Sequence, residues 1–165
     1  LKYAQLVELP DLRLSKVTFY SIRLEENTRS EFADFLVRMK SQQQTLGQLG
    51  ELIRIIQNIG TKYGALKHFF RHENAASALP PPHFQYVDIE DYGVRLYCIR
   101  LSDSVVILLN GDRKTTQKAQ DCPLCAKHFT LANRLARKVD EAIIDGYIRL
   151  FYKELEQDDN FEIIL

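Results

Sequence analysis

The chain has 165 residues, with 22 basic and 22 acidic side chains, and 45% of its residues are hydrophobic. That apolar content at zero net charge excludes a disordered chain and points to one soluble globular domain able to build its own core. No apolar run nears the roughly 18 residues that cross a bilayer, LKYAQLVELP does not read as a signal peptide, and three cysteines do not make a disulfide framework, so a cytoplasmic protein without a membrane partner is expected.

Residues 14–24 (LSKVTFYSIRL) are rich in β-branched and aromatic side chains and predict a strand. Thr28 and Glu31 have capping-box spacing, and Phe32, Phe35, Leu36 and Met39 follow at i, i+3, i+4 and i+7, which predicts a helix with one apolar stripe. The polar stretch 41–50 predicts a linker. A second helix is predicted from Leu49, Leu52, Ile53, Ile56 and Ile59, with Gly60 as its left-handed stop. The two helices are expected to pack as a hairpin on a sheet. Residues 63–70 fit a short helix or a strand equally well, and 75–83 (AASALPPPH) predict a loop because prolines remove backbone donors.

Residues 94–101 and 105–109 predict a β-hairpin broken by Ser102, Asp103 and Ser104. The continuous run VVILL predicts a central strand covered on both faces, ended by Asn110, Gly111 and Asp112. Pro123 suits the first turn of a last helix, capped by Asp121 or Cys122 and stopped at Gly146. That helix carries Leu124, Leu131, Leu135, Val139 and Ala142 on one face. The remainder predicts two short strands around a polar turn at 156–160.

Charge is unevenly spread. From Asp112 to Lys138, seven cations face two carboxylates, net +5; from Asp140 to Glu162, two cations face eight carboxylates, net −6. Such a contrast fits either a polyanion site or solvated faces that attract each other. The acidic tail is therefore expected either beside the basic segment, as a brake on anion binding, or paired as an ordinary edge strand.

Several side chains could carry chemistry. Arg95 and Tyr97 share one face of the hairpin strand and Arg100 takes the other, because side chains alternate. A guanidinium can bridge two phosphate oxygens; the competing reading is an edge-strand ion pair. Lys114 and Lys118 follow the central strand, on a functional or merely solvated loop. His68 and His72, four apart, would align on a helix as a metal or acid–base pair, or serve only as half-exposed histidines. Cys122 and Cys125 form a CxxC followed by His128, with Cys98 elsewhere. Zinc binding, redox chemistry and plain helix-start packing are the three readings, and no zinc is expected because the ligands come from a single turn.

The stretches HFFRHENAASALPPP (68–82) and RLYCIRLSDSVVILLNGDRKTTQKAQDCP (95–123) resemble the RelE/ParE/HigB superfamily of bacterial toxins, in which an Arg-aromatic strand precedes an apolar strand, a Gly and a Lys/Thr/Gln-rich stretch. The resemblance covers residues 14–123, with its specific part at 95–118. It implies an α+β fold: a small twisted, mainly antiparallel sheet with two N-terminal helices on one face and an additional C-terminal helix. Residues 1–123 would form the toxin-like domain and 124–165 an extension packed on it. It also implies a metal-independent ribonuclease without a cofactor, acting on ribosome-bound mRNA and neutralised by an antitoxin protein. Carried onto this chain, Arg95, Lys114, Lys118, His72 and Tyr97 would be catalytic, and Arg71, Arg100 and Arg113 would bind RNA. Asn110 stands where such toxins often carry a His, and Asn is no general base near neutral pH. Either another group serves, or the chain is a non-catalytic protein-interaction module of the same fold.

Overall fold

The computed structural model describes residues 2–87 and 89–165. Its first strand, β1 (Tyr3–Arg13), pairs antiparallel with β2 (Thr18–Leu24). No period in the sequence announces β1. Ala4 and Leu6 alternate inward there, but Pro10 and a register shift between Glu8 and Arg13 blur the period. The expected strand at 14–24 is therefore shortened to its second half.

Helix α1 (Glu31–Lys40) starts two residues later than a cap at Thr28 would set it. Its cap is Ser30, whose hydroxyl accepts from the N–H of Ala33 at 3.1 Å. Phe32, Phe35 and Met39 are buried as the stripe requires. Helix α2 (Gln43–Asn58) absorbs most of the expected linker, because Thr45, Gln48 and Leu49 face the core at helical spacing. It runs on through a wide turn, Ile59–Tyr63, and the left-handed stop is Gly64 (φ 82°) rather than Gly60. A 3-10 turn, Lys67–Phe69, follows.

Two short strands come next: β3 (Arg71–Glu73), where no element was assigned, and β4 (Ala76–Leu79), inside the expected loop at 75–83; the prolines begin just after β4. The expected hairpin is present as β5 (Gly93–Arg100) and β6 (Val105–Lys114). β6 is not ended by Asn110, Gly111 and Asp112 but continues through them to Lys114. Helix α3 (Ala126–Ile144) begins after the CxxC, with Cys125 at its cap position and no side-chain cap, and Gly146 follows its end. The tail forms a hairpin, β7 (Ile148–Phe151) with β8 (Glu154–Gln157), and a last strand, β9 (Ile163–Ile164). β8 and β9 flank the polar turn expected at 156–160, where the N–H of Phe161 donates to Asp158 O at 3.1 Å, while β7 and its turn at 152–153 add a strand that was not expected.

The main sheet has seven strands in the order β3-β4-β5-β6-β2-β1-β9, larger than the small sheet expected, with VVILL in its middle strand. All pairs are antiparallel except β2 with β6. Alternating side chains divide the core. Phe19, Leu96, Cys98, Val106 and Leu108 pack with α1 and α2, whereas Tyr97, Ile99, Val105, Ile107 and Leu109 pack with α3. The fold is thus α+β, and no helix among the described residues is long and apolar enough to cross a membrane.

The tail docks as an edge strand: β9 pairs with β1, at the opposite end of the sheet from β3. Its charges are met locally. Glu154 pairs with Arg13 and accepts from Tyr20 Oη at 3.0 Å, while Glu156 and Asp158 pair with Arg149. None of these partners belongs to the segment Arg113–Lys138.

Candidate anion-binding site

A bulge in β6 builds the site. Leu96 faces Gly111 and Cys98 faces Leu108, so Leu109 and Asn110 together oppose Tyr97. Beyond the bulge the alternation of β6 is inverted. Arg113 turns to the α2 side, where it bonds Gln44 and lies 3.4 Å from Asp91, and Lys114 comes opposite Gly93 on the side of Arg95. Gly111 is required at the crossing, since a Cβ there would lie 1.8 Å from the carbonyl oxygen of Arg95.

Arg95 is only 5% exposed. Its Nη1 donates to the carbonyls of Tyr92 (2.7 Å) and Val94 (3.4 Å), and its buried Nε has no partner among the described residues. Arg71, on β3, is fastened in the same way: Nε donates to Pro80 O at 2.9 Å and Nη2 to Pro81 O at 3.3 Å. Carbonyls hold both guanidiniums in place without neutralising them. Lys114 lies over the ring of Tyr92, 5.4 Å from its centroid. None of the ion pairs among the described residues involves Arg71, Arg95 or Lys114. All three have lowered pKa values, through burial first; mutual repulsion with Arg71 adds to this at Arg95, and repulsion by Arg95 and Arg71 adds to it at Lys114.

Arg71 and Arg95 line a cavity of about 420 Å³ whose other walls include Phe84, Tyr86, Tyr92 and Asp91. Glu73 carries the carboxylate whose field reaches Arg71, Lys114 and Tyr97, partly offsetting the effect of burial at the two cations. These aromatic residues and Glu73 were missed in the sequence, because they lie in the stretches 71–74 and 84–93, to which no element was assigned. The aromatic spacing Phe84, Tyr86, Tyr92 after the prolines was the available signal.

The remaining expected site residues are dispersed. Tyr97 does sit on the Arg95 side, but it is fully buried, edge-on to Phe129 at 6.0 Å, and its hydroxyl opens onto no surface. Arg100 lies on the opposite face and is committed to Ala65 O at 2.6 Å and to Asp103. Lys118 is exposed on the segment between β6 and α3. His72 is exposed on edge strand β3, beside a smaller cavity of about 230 Å³ shared with Lys67, Arg71 and Arg100. His68 stacks on Phe69 in the 3-10 turn, so the two histidines share no helix face.

The cysteines fall into two groups. Cys98 packs on the α1/α2 side, while Cys122 and Cys125 pack on the α3 side, so the sheet separates them. Burial alone would raise Cys122, but the N–H and hydroxyl of Thr115 and the N–H groups of Cys125 and Leu124 outweigh it and bring the thiol to about 7. Burial and the neighbouring Cys122 push Cys125 up to about 12. His128 turns away from both, with Nε2 3.5 Å from Arg38 Nη2. No group of three or more His, Cys, Asp or Glu side chains among the described residues is placed to hold a metal ion.

Asn110 belongs to a polar network in the gap where β2 and β6 part. Arg38 donates to Asp34 (2.9 Å), Asp112 (2.8 Å), Asn110 and Gly111 O (2.7 Å), and Asn110 donates to Asp34 at 3.0 Å. These groups satisfy one another, in contrast to the cations around the cavity. Compared with known proteins, the chain matches no family model, no curated protein and no solved structure.

Proposed function

We propose that the protein binds RNA through Arg71, Arg95 and Lys114 and cleaves it without a metal, in the manner of RelE/HigB-type toxins. The observation that carries this reading is three cations on one side of the sheet that have no carboxylate partner among the described residues. Charges left unneutralised beside a polar-walled cavity favour a phosphodiester. The helix pair α1 and α2 on one side of a sheet, which the toxin pattern also implies, supports it further.

In the reaction, the 2′-hydroxyl attacks the adjacent phosphorus as a base takes its proton. The P–O5′ bond breaks, an acid protonates the leaving oxygen, and a 2′,3′-cyclic phosphate remains. The guanidiniums and Lys114 would stabilise the phosphorane charge. Glu73, on the same face of β3 as Arg71, is the titratable group available as base and Lys114 the one available as acid, whereas His72 alternates to the opposite face with Cys98. An antitoxin segment would neutralise the protein by covering these cations.

The test is digestion of mRNA in a translating extract, with end-group analysis. Cleavage leaving cyclic phosphate ends is expected, and Lys114→Gln should slow it by about 10²-fold. Uncut mRNA with folded wild-type protein would end the nuclease reading. The second reading, a protein-interaction module of the same fold, is favoured by one observation: Asn110 is fully engaged with Asp34 and Arg38 and offers no base.

A further inference from the structure

The cavity beside the cations is larger than a phosphate requires. At about 420 Å³ it has room for roughly a dozen water volumes. Its lining is divided by chemistry. Arg71 and Arg95 offer N–H groups not used on the carbonyls of Pro80, Pro81, Tyr92 and Val94, and the Nε of Arg95 is buried without a partner. Phe84, Tyr86 and Tyr92 offer rings. Phe84 meets Tyr86 edge-on at 5.2 Å, Tyr86 is fixed by donating to Val94 O at 3.0 Å, and Tyr92 stays 45% exposed.

The one acid whose side chain is described in the lining does not oppose an anion. Asp91 accepts from the N–H of Gly93 at 2.9 Å and lies 3.4 Å from Arg113 Nε, so its carboxylate is already paired. What remains is two cations next to an aromatic wall, in a space that fits a ring and a phosphate together.

We infer that this cavity is a subsite for one nucleotide, with its phosphate between Arg71 and Arg95 and its base against the ring of Tyr92. The ligand is a phosphate ester carrying a heteroaromatic ring, supplied either as a free mononucleotide or as one residue of an RNA strand. Guanidinium forks recognise the phosphate, and stacking tolerates any base because every base has a π-face. The inference rests on the RNA-directed reading for its ligand class, but it needs no cleavage.

Calorimetric titration of the full chain with AMP, adenosine, inorganic phosphate and a short oligoadenylate tests it. AMP should bind at least about tenfold more tightly than either phosphate or adenosine, since each of these keeps only half of the contacts. Arg71→Gln, a half-buried position on an edge strand, should weaken AMP about tenfold or more. Tyr92→Ala should weaken AMP by about five- to tenfold or more and leave inorganic phosphate unchanged. Thermal melts of both variants establish that they remain folded. A free-nucleotide site binds AMP more tightly than the oligonucleotide, and a strand subsite binds the oligonucleotide more tightly; both depend on Tyr92. AMP binding no better than phosphate, or equal AMP binding by wild type and both folded variants, overturns the subsite. If RNA is cleaved while AMP does not bind, the subsite alone falls. If AMP binds with this pattern while RNA stays intact, the nuclease reading alone falls.

Discussion

His128 and Arg95 are both buried polar side chains, yet they stand in opposite situations. Around His128 the network is closed. Burial, then Arg38 and Lys127, hold its imidazole at about 4, against the attraction of Asp112 and Asp34. A neutral ring leaves Nε2 free to accept from Arg38. The unfolded chain takes up a proton near pH 6.5 and the folded one only near 4, so the unfolded state binds more protons in that window. The contribution is intact above about pH 6.5, falls as pH drops, and levels off below about pH 4. Between pH 7 and 5 the loss should be about 2 kcal/mol. Glu31 works against it: burial and nearby Asp34 raise its pKa, so it favours the folded state as pH falls. Denaturant unfolding of wild type and His128→Gln at both pH values separates the two, because only the variant should lose the His-dependent slope. Parallel pH profiles would show that His128 is not the group responsible. Arg95 has no such closure: its buried Nε has no partner among the described residues.

At the scale of elements, the β6 bulge decides which side chains meet. Without the extra residue, Lys114 would share a face with Leu108 and Val106, away from Arg95. Gly111→Ala should therefore do two things. The Cβ at 1.8 Å from Arg95 O must push the strands apart, which should cost about 2–3 kcal/mol in chemical denaturation. Any protein that still folds should bind RNA less tightly, because Lys114 and Arg95 move relative to one another. A variant with wild-type stability and affinity would remove the bulge from the account. The hairpin itself was legible, because VVILL beside an alternating strand has few other solutions. The bulge was not, because residue alternation counts positions one by one and carries no mark where a register slips. Arg113 was consequently grouped with Arg95, although it faces the other side and is engaged with Asp91 and Gln44, whereas Arg100 was expected on the other face and is found there, engaged with Asp103. β3 and β4 were illegible for a different reason: strands of three and four residues are too short for a period to declare itself.

At the scale of the whole molecule, zero net charge conceals how the charges are partitioned. The acidic tail lies at the β9 end of the sheet and is met by Arg13 and Arg149, so it does not cover the β3 end, where Arg71 stands. The basic segment is divided as well. Arg113 is paired with Asp91 and Lys138 with Glu141, and Lys127, Arg134 and Arg137 form a solvated face of α3. Of this segment Lys118 is left exposed on the loop, and Lys114 joins Arg71 and Arg95 as the three cations that the proposed reading sets against phosphates. Each phosphate neutralised on a single strand contributes about −0.7 to the slope of log affinity against log salt, so three should give a slope near −2. From about 50 to 200 mM salt the affinity for single-stranded RNA should fall roughly 20-fold. Arg71→Gln should make the slope shallower by about 0.7. A slope near −5 would mean that the α3 face and the loop at Lys118 are also engaged, and the interface would then extend well beyond the cavity. A slope near zero would mean that no phosphate is held, because counterion release accompanies any such contact whatever the net charge of the protein. On the proposed RNA-directed reading, with no excess charge to steer RNA from a distance, the affinity would depend on the few cations without carboxylate partners beside the cavity, and the salt slope would count them directly.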